Sequence, residues 1–430
     1  MQYDKTEQMI GSLHMKVLIL EPHSDGHHGA YLHWMAAGLV DRGFEVTIIT
    51  LPETLVHPSM QALTGTALTD GAGSLRLIGA ATPITLPSGA TGGAAGLSAR
   101  EWAYWRLFRA WYVAHAGSVR PDVVYLPYLD YCLYAIGLLG SPFDDCPWVG
   151  LAMRPSFHYQ EMGVMAPKPS LARLKRRLFF RLLKQSQLIR LLSVDEPLVD
   201  YASKVSDKAK WKVTLFPEPV DLGPLPAKIE SKRRLELNVE HLTVLLYGAL
   251  TARKGVSVLL RAAASREFPA NVDVLLAGRV SDEDTRKLLS LPWVGELVAQ
   301  DRLKIIDRFI SAAEEPALFS AADIVWLGYQ GHYSSSGVLC QAASTKRPVI
   351  ATNEGLIGWQ TSRHGLGRTV DVSKVEDVVG ALIGLTEKSF AELVNQDSSR
   401  WTPPGISEVQ ASLADILLVS TKSGYGAKVI

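Results

Sequence analysis

The chain has 430 residues, 47% of them hydrophobic and 20% charged, a globular balance with length for two or three packed domains, which excludes wholesale disorder and fibrous repeats. Its 44 Lys and Arg offset 43 Asp and Glu, leaving a net charge of +1, so no global field recruits nucleic acid and a polyanion would have to meet a local patch. Cys132, Cys146 and Cys340 form no C-x-x-C pair, which excludes a cysteine-built zinc site and a disulfide framework and fits a reducing cytoplasm.

Met1 to Gly11 is polar and lacks the order of a signal peptide, and no uninterrupted apolar run approaches the roughly 20 residues of a membrane span. The expectation is a cytoplasmic protein that is soluble or at most rests on the inner face of a membrane. From Met15 the sequence MKVLILEPHSDGHHGAYLHWMAAGLVDRGFEVTIIT reads as strand, Gly-containing loop, helix and second strand. Near-continuous apolar strands of this kind belong to a parallel sheet covered on both faces. Asp70 to Arg100, rich in Gly, Ala, Ser and Thr, reads as a surface excursion without a long helix. Asp122 to Leu126, Trp148 to Ala152, Ile189 to Val194 and Val213 to Phe216 read as later strands.

The prolines from Phe216-Pro217-Glu218-Pro219 to Pro226 break the pattern and mark a linker. A second strand–helix series follows: LTVLLYGAL, a helix from about Gly255, NVDVLLAG, a helix near Glu283, LKIIDRF, a short helix from Ala312, DIVWLGY, another helix and RPVIAT. Ser311 and Glu314 are spaced as a capping box. Ser407 to Leu418 is a last amphipathic stretch that could pack back across the junction. The expected fold class is α/β, two doubly wound Rossmann-like parallel-sheet domains facing across a cleft. Their expected bounds are 1–220 and 221–400, with 401–430 as a C-terminal segment.

Ligands of open parallel sheets sit at the carboxyl ends of the strands, and three loops of the second half converge there. In YGALTARKGVSVLL, Arg253 and Lys254 precede a helix start, two cations beside helix N-terminal amides that suit a diphosphate or are simply an exposed basic turn. In GYQGHYSSSGVLCQAASTKRPVIAT, the turn through Ser335, Ser336 and Gly337 opens a helix, as an anion cradle or as ordinary serine N-caps. In ATNEGLIGW, Asn353, Glu354 and Gly355 would line the same crevice. The loop His23-Ser24-Asp25-Gly26-His27-His28-Gly29 holds three histidines without a carboxylate or cysteine pattern, and no metal is expected.

At these residues the chain resembles the GT-B fold nucleotide-sugar glycosyltransferases, in particular the retaining family 4. FPEPVDLGPLP is similar to the family's "IPNGVD…F…P" linker, YGALTARKGVSVLLRAA to "GRL…KG…LL.A", and YSSSGVLCQAASTKRPVIAT to "EGFGLVLLEAMA.G.PVIA". LLSVDEPLVDY is similar to the segment with the family's "vS" pair. The resemblance implies an N-terminal acceptor-binding domain, a C-terminal nucleotide-sugar-binding domain, and transfer of a sugar from a nucleotide-diphosphate sugar to a hydroxyl of a glycan, lipid-linked or small-molecule acceptor. It implies retention and no cofactor or metal, the cations and helix N-termini stabilising the departing diphosphate. The donor-binding set it implies is Gly26, Gly29, Arg253, Lys254, Phe309, Tyr333, Ser335, Ser336, Gly337, Gln341, Glu354 and Gly355.

The departures are specific. Tyr333 and Gln341 stand where the family has two glutamates, one touching the donor sugar and one the ribose diol, and Ala249 stands at the arginine of "GRL". After Asp122-Val-Val-Tyr-Leu-Pro127 the family's histidine is missing, and Tyr128 and Asp130 occupy the strand end, to orient an acceptor hydroxyl or to serve only the domain edge. Tyr128, Asp130, His158 and Lys254 are the catalytic candidates. These departures leave open a catalytically silent nucleotide-sugar binder or assembly protein, or a phosphorylase or hydrolase on the same scaffold.

Between Met162 and Val194 there is no Asp or Glu, while Lys168, Arg173, Lys175, Arg176, Arg177, Arg181, Lys184 and Arg190 are interleaved with Leu and Phe. A basic amphipathic helix reads as a contact for an anionic membrane surface, or as a helix with its charges solvated or set for an anionic acceptor. No nucleic-acid partner is expected.

Overall fold

Seven short apolar segments form the first sheet: β1 (Lys16–Leu20), β2 (Glu45–Thr50), β3 (Ser74–Gly79), β4 (Val123–Leu126), β5 (Trp148–Ala152), β6 (Leu188–Ser193) and β7 (Val213–Leu215). All pair in parallel, in the order β3-β2-β1-β4-β5-β6-β7. Six more, β8 (Leu242–Tyr247), β9 (Val272–Ala277), β10 (Leu303–Ile306), β11 (Ile324–Leu327), β12 (Val349–Thr352) and β13 (Gly367–Val370), form a second parallel sheet in the order β10-β9-β8-β11-β12-β13. The computed structural model describes residues 15–23, 28–56, 58–65, 73–82, 94–386 and 401–422.

The chain divides into two compact units, the first from residues before 159, 168–217 and from 406 onward, the second from 159–167 and 218–405. In both sheets the strand order reverses beside the first strand of the series, β1 or β8, so that the loops leaving β1 and β4, and β8 and β11, flank the switch points where open sheets bind ligands. The inner strands bury almost every side chain because helices cover both faces, which is why they read as apolar runs rather than alternations.

Of the stretch read as a surface excursion, residues 70–72 and 83–93 lie outside the described residues, and the described part is more regular than its composition suggests. It holds the edge strand β3 and the start of a 26-residue helix, Ala94–Val119. Leu75 and Leu77 of β3 turn onto the core while Ser74, Arg76 and Gly79 stay exposed, the half-buried pattern of an edge. Two further elements were invisible as patterns: the helix Pro292–Ala299, and β13, a four-residue strand opened by Gly367.

The last helix, Ile406–Lys422, belongs to the first unit, where Val409, Leu413, Ala414 and Leu417 are buried in the core with Leu32, Met35 and Leu39 of the helix His28–Val40. Gln410 Nε2 donates to Trp34 O at 2.7 Å, fixing the register of the two helices. In the second unit, buried Asp323 accepts from Thr243 N at 2.9 Å and from Lys232 Nζ at 3.0 Å, with Lys228 on its other oxygen. That pairing ties the helix Lys228–Arg234 to the start of β8 and β11 and leaves no buried charge unmatched there. Among the described residues no helix is long and apolar enough to cross a membrane.

Leu413 is fully buried, so Leu413→Ala is expected to lower the stability of the first unit by about 2–5 kcal/mol, the usual range for a buried leucine truncation. Urea unfolding followed by circular dichroism checks it. An unchanged midpoint would mean that the terminal helix contributes little to that core.

Candidate functional site

The centre of the second unit's switch point is a lysine taken out of water. β8 ends at Tyr247, and the chain turns through Gly248 with φ +91, a backbone region that favours glycine. A Cβ there would stand 2.5 Å from Lys254 Nζ, so the ammonium fills the space that a side chain would need. Lys254 is 7% exposed; its Nζ donates to Tyr247 O and lies 5.5 Å from the centre of the Tyr329 ring. Burial, then the neighbouring Arg253, pulls its pKa down to about 8. The group therefore still carries a proton at neutral pH, met among the described residues by a carbonyl and a ring face.

The turn that carries Lys254 is pinned from three sides. Asp282 Oδ2 accepts from Ala252 N at 2.8 Å, Trp326 Nε1 donates to Lys254 O at 2.9 Å, and Gln330 N donates to Arg253 O at 2.7 Å. Gly255 follows with φ +70, and a Cβ there would meet Gly328 O at 2.1 Å, so β11 and the turn approach as closely as backbones can.

The β11 exit meets this turn through side chains. Arg253 Nη1 lies 3.2 Å from His332 Nδ1, and His332 Nε2 lies 3.0 Å from Ser335 O. Because a carbonyl can only accept, Nε2 carries the proton and Nδ1 accepts from the guanidinium. Ser336, buried, is the N-cap of the helix Gly337–Ser344, yet its Oγ donates to the Tyr329 hydroxyl at 3.3 Å instead of capping the first turn. Leu339 N donates to Ser336 O at 3.0 Å; the two amides before it have no partner within the helix and carry the positive end of its dipole. Glu218 of the proline linker reaches this point: a Cβ on Gly337 would lie 2.8 Å from Glu218 Oε1.

Gln341, on the same helix, donates from Nε2 to Glu315 Oε2 at 3.0 Å, and Tyr247 OH donates to the other carboxylate oxygen. Burial raises the pKa of Glu315, opposed by those two donors. A glutamate at position 341 would set two carboxylates against each other; the amide lets one carboxylate serve both positions. Tyr333 sits beside the third loop. A Cβ on Gly355, φ +65, would lie 2.5 Å from Tyr333 Cα, and Tyr333 O accepts from Leu356 N at 3.1 Å and from Tyr159 OH at 3.1 Å. Glu354, at the N-cap of the helix Gly355–Arg363, raises the Tyr333 pKa after desolvation does. Phe309, past the end of β10, is 78% exposed, and among the described residues no ring contact ties its side chain to these loops.

In the first unit Tyr128 and Asp130 sit at the exit of β4. The Asp130 oxygens accept from Met153 N and Arg154 N, both at 2.8 Å, which anchors the loop after β5; burial nevertheless raises its pKa. His158 is fully buried, with Nε2 at 3.2 Å from Asp195 Oδ2, and Asp195 also N-caps the helix Glu196–Val205. Gly29 is buried within the helix His28–Val40, and Gly26 lies outside the described residues. Beside Tyr128 is a cluster that sequence reasoning passed over. Fully buried Glu21, just after β1, accepts from His23 N at 2.9 Å and lies 3.3 Å from His28 Nδ1; His28 packs on Tyr128 with ring centres 3.9 Å apart. Tyr104 and Tyr131 stack at 4.5 Å, and the Tyr104 hydroxyl reaches His23 Nε2 at 2.8 Å. The signal was an acid directly after an apolar strand, in LILEP. Glu218, Glu315 and Tyr247 were likewise missed, since Glu218 lies 119 positions from Gly337, Glu315 lies 26 from Gln341, and Tyr247 lies 68 from Glu315, which leaves no local spacing to read.

Among the described residues no three His, Cys, Asp or Glu side chains are grouped to hold a metal ion. No family model matches the chain, and no curated protein sequence does. Solved structures do match along nearly its whole length. Sucrose-phosphate synthase from Thermosynechococcus elongatus superposes with a TM-score of 0.60 at 16% identity, over 95% of this chain and 98% of that one. Anabaena HepE, solved with UDP and glucose, gives 0.59 at 15%, over 94% and 100%. WaaG, a glycosyltransferase involved in lipopolysaccharide biosynthesis, gives 0.58 at 15%, over 93% and 99%. The chain has the GT-B fold. Two parallel sheets with flanking helices, expected from the strand series alone, are what these GT-B structures share with it.

The lowered pKa of Lys254 makes a signed prediction. Its charged form is disfavoured by folding, so the group costs stability below about pH 8 and the cost fades as pH rises toward its unfolded value of 10.5. Lys254→Met should therefore raise thermal stability at pH 7, by less than the roughly 3 kcal/mol that the shift corresponds to, because the Tyr247 carbonyl loses its donor. At pH 10 most of the gain should be gone. Melting curves of both proteins at the two pH values decide it, and a gain independent of pH would show that the ammonium is not the source of the cost.

Proposed function

We propose that the protein is a glycosyltransferase that moves a sugar from a nucleoside diphosphate sugar to a hydroxyl of a glycan, lipid-linked or small-molecule acceptor, with retention and without a metal. The observation that carries the reading is the protonated Lys254, buried beside Arg253 in the turn that meets the loop leading into the helix Gly337–Ser344. Cations and helix amides gathered in a water-poor site are what a departing diphosphate needs, and they supply it without reorganisation at the moment of bond cleavage. UDP in the HepE structure makes a uridine nucleotide the first donor to try.

In this reading the bond between the anomeric carbon and the diphosphate oxygen breaks as the acceptor oxygen bonds to the same face of that carbon. The acceptor's proton passes to the leaving diphosphate, so no protein nucleophile is required. Lys254, Arg253 and the amides of Ser335 to Gly337 hold the negative charge that develops. The carbonyl oxygen of Gln341, whose amide nitrogen is given to Glu315, accepts from the ribose diol, and Tyr333, Glu354 and Gly355 border the sugar. Tyr128 orients the acceptor from the first unit, with Asp130 holding the loop after β5.

One observation favours the rival reading of a binder without turnover. Glu218 holds a carboxylate at the helix N-terminus that a diphosphate would use, and two anions cannot share it. The transferase reading requires Glu218 to swing away or to contact donor hydroxyls instead.

Lys254→Ala is expected to weaken UDP binding about ten- to hundredfold, the range for a charge-assisted contact of about 1.5–3 kcal/mol, while uridine binding stays the same. Calorimetry with both ligands checks it, after a thermal-shift panel of UDP, GDP, ADP, TDP and CMP sugars has ranked the donors. Equal loss for nucleoside and diphosphate would remove Lys254 from the phosphates. Turnover of the best donor in excess EDTA separates the transferase from the silent binder, and activity that only magnesium or manganese restores would overturn the metal-free mechanism.

A further inference from the structure

The helix Ala172–Leu183 buries Phe179, Leu182 and Leu183 on one side, while Arg173, Arg177 and Arg181 on the other are exposed, with Lys184 just beyond. Two more of its cations are engaged by the first unit: Lys175 Nζ lies 5.8 Å from the Tyr134 ring centre and the Arg176 guanidinium 5.5 Å from that of Tyr201. The exposed cations face no acid of their own segment, because none occurs from Met162 to Val194, and a net charge of +1 for the whole chain makes the accumulation local.

Large exposed apolar side chains lie on the same helix and on two helices that pack against it. Leu171 and Leu174, at the start of the helix, are about half exposed. The helix Leu133–Leu139 packs against it so closely that a Cβ on Gly137 would meet Leu178 O at 2.4 Å, and it ends in exposed Leu138 and Leu139. The helix Asp207–Lys212 is tied to the chain just past the basic helix by Lys212 Nζ, which donates to Gln185 O at 2.5 Å. It presents Trp211, 69% exposed, next to exposed Lys210.

Scattered exposed leucines are ordinary, but several beside a tryptophan and a run of cations are a patch. Solvation explains the charges and leaves the apolar residues unexplained; a polyanion such as nucleic acid would pair the charges and do the same. A surface with an anionic layer directly above hydrocarbon satisfies both, since guanidinium and ammonium groups sit at headgroups while Leu and Trp enter the interface. We propose that this three-helix face of the first unit docks the protein on an anionic lipid bilayer. The inference does not rest on the transferase reading, and its test involves no nucleotide.

The experiment is co-sedimentation of the whole protein with vesicles of phosphatidylcholine carrying one third phosphatidylglycerol, with pure phosphatidylcholine vesicles as the neutral comparison. The expected result is binding to the anionic vesicles that falls between low salt and 0.5 M salt, with little binding to the neutral ones. Arg173→Gln, Arg177→Gln and Arg181→Gln together should weaken partitioning on the order of a hundredfold, three cations near the surface being removed. Lys175 and Arg176 are left intact because their side chains also pack on aromatic rings. Trp211→Ser, which keeps every charge, should weaken it several-fold and leave the salt dependence in place. Circular dichroism confirms that each variant is folded. No binding by the unmodified protein, equal binding to both vesicle types, or binding indifferent to both the triple change and Trp211→Ser would overturn the proposal.

Discussion

An ammonium group removed from water must be met by dipoles or anions, and Lys254 is met by one carbonyl and one ring face. Everything around the second switch point follows from keeping it there. Gly248 leaves room for it, Gly255 lets the turn close against β11, and Asp282, Trp326 and Gln330 pin the turn from outside. A group so poorly compensated is a cost to the folded state, and such costs persist at sites where a ligand supplies the missing partner. The proposed diphosphate is that partner, and its arrival would draw the lysine pKa back up.

The carboxylates of the second unit illustrate how a chain can depart from a family pattern without emptying the site. Position 341 is an amide, but Glu315 on the neighbouring helix brings a carboxylate into contact with it, supported by the Tyr247 hydroxyl. Position 333 is a tyrosine, and its backbone rather than its hydroxyl carries the hydrogen bonds that position the third loop, while Glu218 reaches Gly337 from the linker. Charge is thus redistributed among elements far apart in sequence. In the first unit, buried Glu21 holds His28 and, through it, the ring of Tyr128, so the residue proposed to orient the acceptor is itself held from the end of β1.

Much of the architecture was legible because parallel strands buried on both faces leave continuous apolar runs. Trp148 to Ala152 was read to the residue, β4 and β7 were read one residue too long at one end, and β6 was read one residue too late at both ends. β3 was hidden because an edge strand buries only part of its side chains, and the helix Ala94–Val119 because its first turn is Ala and Gly rather than a capped amphipathic start. Arg253, Lys254, Ser335, Ser336 and Gly337 could be singled out since strand ends and helix starts mark them locally. Their connections through His332 and Tyr329, the burial of His158 against Asp195, and the meeting of Glu315 with Gln341 are tertiary facts with no local signature.

The central claim, that the loops leaving β8 and β11 together hold a diphosphate, is tested most directly by amide hydrogen exchange of the whole protein with saturating UDP and with uridine. If the claim is right, UDP slows exchange at amides 252–256 and 335–339 and uridine leaves those two segments unchanged. Protection confined to other parts of the chain, or equal protection by both ligands, would contradict it.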